Sequence, residues 1–569
     1  MEKPLLSYHI FLFPFQWEFI GKMMKNKTIE QRTKLEEFVS LFDSDKWVRK
    51  EYTLDKVLNY NEFNFYYPMV RDVLFDTGSE IDRAIITNLF YKIEPDEYLY
   101  EFKVCVEPKN GIVKTYRLHI ESIIMHLYST GVGVLSFHLN NRFADQGDQQ
   151  DILNINQAGR RIYPPFFPMN FNFIGDQAQY EYDDFAASLI TLKKSELGDS
   201  INLTNFPGIE EFRNYEHKEY FKNEPFQIPQ HFKDLFGKVP ITVDWEERKG
   251  HETKIYINPL IDDRMFVVSW YGNTDLCKEL ASETKEKRDG FQVLNYETND
   301  WWYKYIFNDQ RFATCQDKSM KSKLIQKHTY SRWADYGTFY GINRYSFVCL
   351  TDTLDNLKKP YVNAAFLVNH LQTIYYKMAE LCLVQRACVL RFSQEVAGIS
   401  AMKDNKKIPF TKRVSNLYKQ YIKFVNRIYF REVTAQEQGI ELYDMMQEHM
   451  RIEQNVKDLD NEISELNQYA TLLEDQKRNN SLAILTLIGS IFIIPTFIVG
   501  FYGMNIGPYS EIPENAILPI IAGMVITPFF VVWFIYAKEK KYAFILLFMA
   551  LICFLTAILL PYLCLLYTS

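Results

Sequence analysis

The pattern of apolar and polar positions divides the chain into three stretches with different periods. Residues 1–360 carry short runs with alternating apolar positions, broken by turn formers, and predict a mixed α/β domain. Expected strands are 7–13, 63–69, 102–106, 116–128, 132–139, 254–258, 266–271 and 345–350; expected helices are 28–42 and 148–157. Ser129-Thr130-Gly131 separates two long alternating runs, so Gly131-x-Gly133 belongs to a hairpin rather than to a phosphate loop.

The second stretch, 361–480, is helical in pattern. From Leu442 through Met445, His449, Ile452, Val456, Leu459, Ile463, Leu466 and Ala470 to Leu473 the apolar steps alternate three and four. Such a seam predicts a coiled-coil-like stalk of about 48 Å. Neither proline nor glycine interrupts it before Ser481, so an unbroken rod is expected. A dimeric zipper is the plain alternative, and His449 is expected as a polar register residue on the seam rather than a ligand.

The third stretch, 481–569, is almost wholly apolar. Runs 481–502 and 516–537 hold 22 residues each with no ionisable side chain, enough to cross about 30 Å of hydrocarbon. Run 542–566 is a third span, or else a segment lying on the membrane surface. Lys477 and Arg478 precede the first run, and Lys538, Lys540 and Lys541 form a basic collar after the second. No Lys or Arg lies between Ser481 and Ala537. This asymmetry predicts a multi-pass protein of the inner (plasma) membrane with a cytoplasmic N-terminus and the loop after Tyr502 outside.

Charge sharpens this division. The tail sums to zero, Lys538, Lys540 and Lys541 against Glu511, Glu514 and Glu539, so the net charge of −7 belongs to residues 1–480. An acidic domain of this kind is not expected to bind nucleic acid directly. The eight cysteines are scattered without a CxxC pair, which suits reduced cytosolic thiols, and no basic region with an apolar core marks a cleaved signal.

On the first apolar run one stripe reads Asn479, Leu482, Thr486, Gly489, Ile493, Thr496, Gly500 and Gly503. Small and hydroxyl-bearing residues on one face suit either a pore lining or a helix-packing seam. The run ends in Thr496-Phe497-Ile498-Val499-Gly500-Phe501-Tyr502-Gly503-Met504-Asn505. Here residues 435–541 resemble the CorA divalent-cation family, whose pore helix ends in Tyr-Gly-Met-Asn with basic residues after the second span. Three departures stand out: Pro495 directly precedes Thr496, the outer loop is longer, and a third apolar run follows the basic cluster.

The resemblance implies a funnel-shaped homopentamer in the lipid bilayer that conducts Mg²⁺ or a related divalent cation, and not an enzyme. Gly503, Met504 and Asn505 become the selectivity filter, five Asn505 carbonyls accepting hydrogen bonds from the waters of a hydrated ion, because Mg²⁺ dehydrates reluctantly. Met504 packs, since a thioether suits a hard ion poorly. Leu482 and Ile493 close the pore by dewetting. Glu511 and Glu514 either concentrate cations at the mouth or are solvated loop charges. In the resembled family, cytosolic Mg²⁺ bound between subunits keeps the stalk closed; counting back along an unbroken stalk from Asn505 brings Asp444 to the matching site, as a candidate metal-sensing carboxylate, with a solvated aspartate the alternative.

Gly159-Arg160-Arg161-Ile162-Tyr163-Pro164-Pro165 offers two arginines ahead of a rigid segment, a candidate site for an anionic ligand or a surface ion-pair site. With the enlarged N-terminal domain, this looks like the CorA-type membrane effectors of type III CRISPR systems. That likeness implies gating by an adenine-nucleotide messenger such as a conjugate of S-adenosylmethionine with AMP. The alternative is a housekeeping Mg²⁺, Co²⁺ or Zn²⁺ transporter gated by the cation. A membrane-tethered enzyme would need a nucleophile elbow, metal cluster or phosphate loop, and the sequence offers none.

Overall fold

The structure, a computed structural model, describes residues 4–24, 27–49, 52–75, 85–93, 98–107, 112–161, 191–194, 200–202, 235–261, 264–288, 290–354, 363–401 and 409–503. The chain divides into two compact units, Met1–Asn467 and Gln468–Ser569.

The first unit is built on strand β1 (Ser7–Ile20), whose fourteen residues are all buried. Its sequence is apolar on both faces, as a strand covered from both sides requires. On one edge β1 pairs antiparallel with β5 (Val132–Asn141). On the other it pairs first with β7 (Phe266–Gly272), along Ser7–Leu12, and then with β6 (Lys254–Pro259), along Phe15–Ile20. Pro14 falls where one partner gives way to the other, so its missing N–H interrupts no ladder on that edge.

The sheet continues through β4 (Ile112–Tyr128), which pairs with both β2 (Ile86–Tyr91) and β3 (Tyr98–Glu107). On the far side β7 pairs parallel with β10 (Ser346–Thr351), followed by β9 (Phe339–Ile342) and β8 (Thr329–Tyr330). Between β4 and β5, Gly131 has φ +81° and donates its N–H to Tyr128 O. It is the hairpin turn that the alternation predicts.

Odd-numbered residues of β1 enter the main core, Phe11, Phe13, Phe15, Trp17 and Phe19. Helices α2 (Gln149–Gly159) and α3 (Asp300–Phe307) cover that face: His9 Nδ1 meets Asn156 Oδ1 at 2.8 Å, and Ser269 Oγ lies 3.1 Å from the Tyr305 hydroxyl. Helix α4 (Tyr376–Ser400) covers the opposite face, with Tyr376 edge-on to His138 at 4.8 Å and Arg391 reaching Glu18. The mixed α/β class is therefore observed.

Two elements differ from expectation. The strand expected at 63–69 is helical, Val57–Phe65 followed by Pro68–Leu74, because Pro68 starts a helix without needing an N–H partner and Phe63 packs on Tyr52 and Phe75. The helix expected at 28–42 is two short ones, α1 (Ile29–Arg32) and Leu35–Val39. They are parted at Thr33, whose hydroxyl bonds back to Ile29 O.

Helices then run α5 (Phe410–Arg427), α6 (Glu437–Met450) and α7 (Ile452–Gly503). The unbroken rod is corrected here: Arg451 adopts a left-handed conformation, φ +56°, and its N–H caps Gln447 and Glu448 carbonyls. Local contacts hold the break. His449 stacks on His328 at 4.0 Å, and Arg344 Nε donates to His449 O at 3.0 Å. The first part of the seam is intrasubunit core. Leu442, Ile452, Val456, Leu459 and Ile463 are buried within one chain, and the Tyr421 hydroxyl of α5 reaches Val456 O.

Candidate functional site

Helix α7 carries the expected pore stripe. Asn479, Leu482, Thr486, Gly489 and Ile493 are exposed on it, and a Cβ added to Gly489 would meet nothing within 4 Å. Leu482 and Ile493 are 52% and 67% exposed, a poor state for aliphatic side chains in water. Thr496 and Gly500 lie further along the helix and Gly503 is its last residue. Met504, Asn505, Glu511, Glu514, Lys538, Lys540, Lys541 and the runs 516–537 and 542–566 lie outside the described residues. Among the described residues no helix is long and apolar enough to cross a membrane; described side chains stop at Gly489, apart from Ile493, nine residues into the first apolar run.

Asp444 sits exposed on α6. Because α6 ends at Met450 and the chain turns at Arg451, the count along an unbroken helix that singled it out does not hold. Partial burial and the charge of Glu432 both push its carboxyl above the usual range. Among the described residues no group of three or more His, Cys, Asp or Glu side chains could hold a metal ion.

Arg160 and Arg161 close helix α2. Arg160 is 4% exposed, donates to Gln157 Oε1 at 2.9 Å, and through its carbonyl accepts from Met265 N at 2.8 Å. Its charge also acts on the Asp309 carboxyl, which burial raises. The Arg161 backbone pairs with that of Arg264 in an isolated antiparallel β-bridge. Ile162, Tyr163, Pro164 and Pro165 lie outside the described residues.

Sequence reasoning missed a second arrangement. A cavity of about 600 Å³ opens between the end of β1, α1, β6, the turn Trp245–Lys249 and helices α4 and α5. On its wall Arg32 and Arg391 alternate with Glu18 and Glu395 in a closed ring. Arg32 binds Glu18, and Glu395 at 2.7 Å; Arg391 binds Glu395 at 2.6 Å and Glu18 at 3.4 Å. Gln16 Nε2 donates to the other Glu18 oxygen at 3.1 Å. Glu18 and Arg391 are almost fully buried.

Burial alone would raise the Glu395 carboxyl, but Arg32 and Arg391 hold it down at about 2. Burial would likewise lower Arg32, and the two carboxylates reverse that. The four charges come from β1, α1 and α4, and only Arg391 and Glu395 are near each other in sequence. The visible signal was only Glu18, the one charged residue of a mostly apolar strand, and Arg391 within a buried helix.

The sheet is followed by helices, the last of which, α7, enters the apolar run that begins at Ser481. Residues 411–541 match the model of a family described as CorA-like Mg2+ transporter protein. The matched stretch runs from the first turn of α5 to the basic collar and is similar to a family of divalent-cation transporters. No curated protein matches the chain.

Proposed function

We propose that the protein is a homopentameric divalent-cation channel whose pore is lined by the stripe on α7 and whose filter is the Gly503-Met504-Asn505 corner. The observation that carries this reading is the CorA-like match over 411–541, together with a long helix that bears the small, polar stripe. Asn505 carbonyls select a hydrated cation, Thr496 and Asn479 add oxygens along the path, and Leu482 and Ile493 form the hydrophobic gate. The finer reading adds a nucleotide messenger that opens the channel from the cytosolic side, as in CRISPR-associated CorA effectors. Its support is the length of chain, residues 1–410, that precedes the CorA-like stretch.

The test is cation flux into proteoliposomes holding the full chain, with Mg²⁺, Co²⁺ and Na⁺ compared. Asn505→Ala is expected to change the divalent-to-monovalent ratio at least about tenfold, the loss of one ring of charge-dipole contacts. An unchanged ratio removes the filter assignment.

A further inference from the structure

We propose that the break between α6 and α7 is a two-state hinge that acid opens, with the stacked rings of His328 and His449 as its latch. The hinge does not depend on what the chain conducts.

The sequence of this segment fits two conformations. The steps Leu442, Met445, His449, Ile452, Val456 and Leu459 keep a helical period across residue 451, and neither glycine nor proline stands between Glu441 and Leu459. That is the pattern of one continuous helix. The chain instead turns at Arg451, with φ +56°, a left-handed conformation that a residue with a Cβ disfavours. Contacts from outside the segment therefore hold the turn, and they gather at the last residues of α6.

The His449 ring stacks on that of His328, with centroids 4.0 Å apart and planes 17° apart. His328 ends the helix Lys318–His328, and its Nδ1 donates to Ile342 O at 2.5 Å, at the end of β9. The His449 ring also bonds the Lys327 backbone, and Arg344 Nε donates to the His449 carbonyl at 3.0 Å. These bonds fasten the end of α6 to the sheet. The start of α6 is fastened separately, Glu441 by Arg332 at 2.7 Å and Gln438 by Trp333 at 3.0 Å.

The surroundings of the stack do not welcome protons. Lys327 and Arg344 act on it as cations, and Glu448 as an anion already paired with Lys327 at 3.0 Å. The Phe307 ring stands edge-on to His328 at 5.0 Å, and Arg386 of α4 donates to Arg344 O at 3.1 Å. Two imidazolium rings in this contact would repel each other. The end of a helix favours a cation at His449, but burial, then His328, lowers it to about 4, and burial lowers His328 as well. A released histidine titrates near 6.5, as the ordinary side chain does. The released state thus binds more protons. As pH falls from about 6.5 toward 4 it gains up to about tenfold per pH unit for each histidine that titrates. With the stack parted, Arg451 can take helical angles and join α6 to α7.

Distances between two nitroxide labels, read by pulsed electron resonance on the full chain in nanodiscs, test this. The labels sit on ketone-bearing unnatural residues at positions 437 and 458, both exposed, and excess unlabelled chain confines the signal to single subunits. A continuous helix sets these positions about 31 Å apart, and the turned chain brings them closer. At pH 7 the shorter distance is expected to dominate. At pH 5 a narrow population near about 31 Å should be at least about tenfold larger than at pH 7. His328→Gln/His449→Asn should abolish this response to pH. Arg451→Gly favours the turn and disfavours the helix, so it should reduce the long population at pH 5 at least about fivefold.

The same distances at both pH values overturn the proposal. An acid response that survives in the double histidine variant overturns the latch. A double variant that shows the long distance already at pH 7 supports it, since the turn then fails without the stack. A broad distribution at pH 5 in place of a narrow one, or no effect of Arg451→Gly, overturns the straightening.

Discussion

The closed ring of Arg32, Glu18, Arg391 and Glu395 makes a quantitative prediction about Arg391→Met. The ring is neutral as built, and each arginine touches both carboxylates. Arg32 and Arg391 hold the Glu395 carboxyl below its usual range against the effect of burial, so the ring favours the charged carboxylate. Removing Arg391 leaves two buried carboxylates on one arginine, and breaking a buried pair costs about 3–5 kcal/mol. Glu395→Gln leaves the opposite imbalance and costs a similar amount. The double variant restores neutrality as an Arg32–Glu18 pair, so it should be less destabilised than the two singles summed, by about 2 kcal/mol or more. Urea unfolding of the full chain in detergent, followed by tryptophan fluorescence, measures this. Seven of the eight tryptophans precede residue 468, so the signal reports the first unit. Additivity within about 0.5 kcal/mol would refute the reasoning and mean that the four groups act as independent pairs.

Three further predictions rest on separate features. Burial, then the neighbouring His328, lowers His449 to about 4, and burial lowers His9 to about 4 and His138 to about 3. Their unfolded forms titrate near 6.5 and bind more protons than the folded ones, so stability is full above that pH. It falls as pH drops toward 4, and His449→Asn should flatten that fall in urea midpoints measured from pH 7 to pH 4. Arg451→Gly should raise stability by about 1 kcal/mol, since Arg451 is exposed at φ +56° and glycine takes that conformation without a Cβ penalty; a lower thermal midpoint would mean that the side chain holds the turn. Gly131→Ala should cost about 2 kcal/mol or more, because φ is +81° and the new Cβ would lie 2.8 Å from Thr33 Cγ2. A soluble, fully stable variant would show that the hairpin can shift.

Strands with regular alternation were legible from sequence because period two has a single explanation in a half-covered or fully covered sheet. The strands at Val132–Asn141 and Phe266–Gly272 lie within one or two residues of the expected limits. Expectation failed where a local pattern had two solutions. Glu62-Phe63-Asn64-Phe65 alternates like a strand, yet Phe63 serves an aromatic cluster from a helix. The stripe of small and polar residues proposed to line a pore was legible as a period along one helix. The charged cavity was not, because its members come from β1, α1, β6, α4 and α5, and only the folded chain brings them to one wall.

The stalk seam shows why a heptad pattern cannot by itself identify its partner. A stripe with steps of three and four fits any helix laid nearly parallel to it, whether from a second copy or from the same chain. Here α5 offers its own stripe, Val414, Leu417, Tyr421 and Phe424, all buried. Its tyrosine at 421 lies by Val456 and Asp460, while Tyr429 senses Glu453, so the two helices run antiparallel. The seam from Ile452 to Ile463 is thereby occupied within one subunit. If the chain assembles as the proposed oligomer, contacts between copies along α7 fall to residues beyond that seam or on another face. Leu472, 66% exposed, is an apolar side chain placed for such a contact. Replacing it with Ser should weaken the assembled oligomer in detergent, read by light scattering, without lowering the urea midpoint of the first unit. The opposite pattern would show that it serves the subunit's own fold.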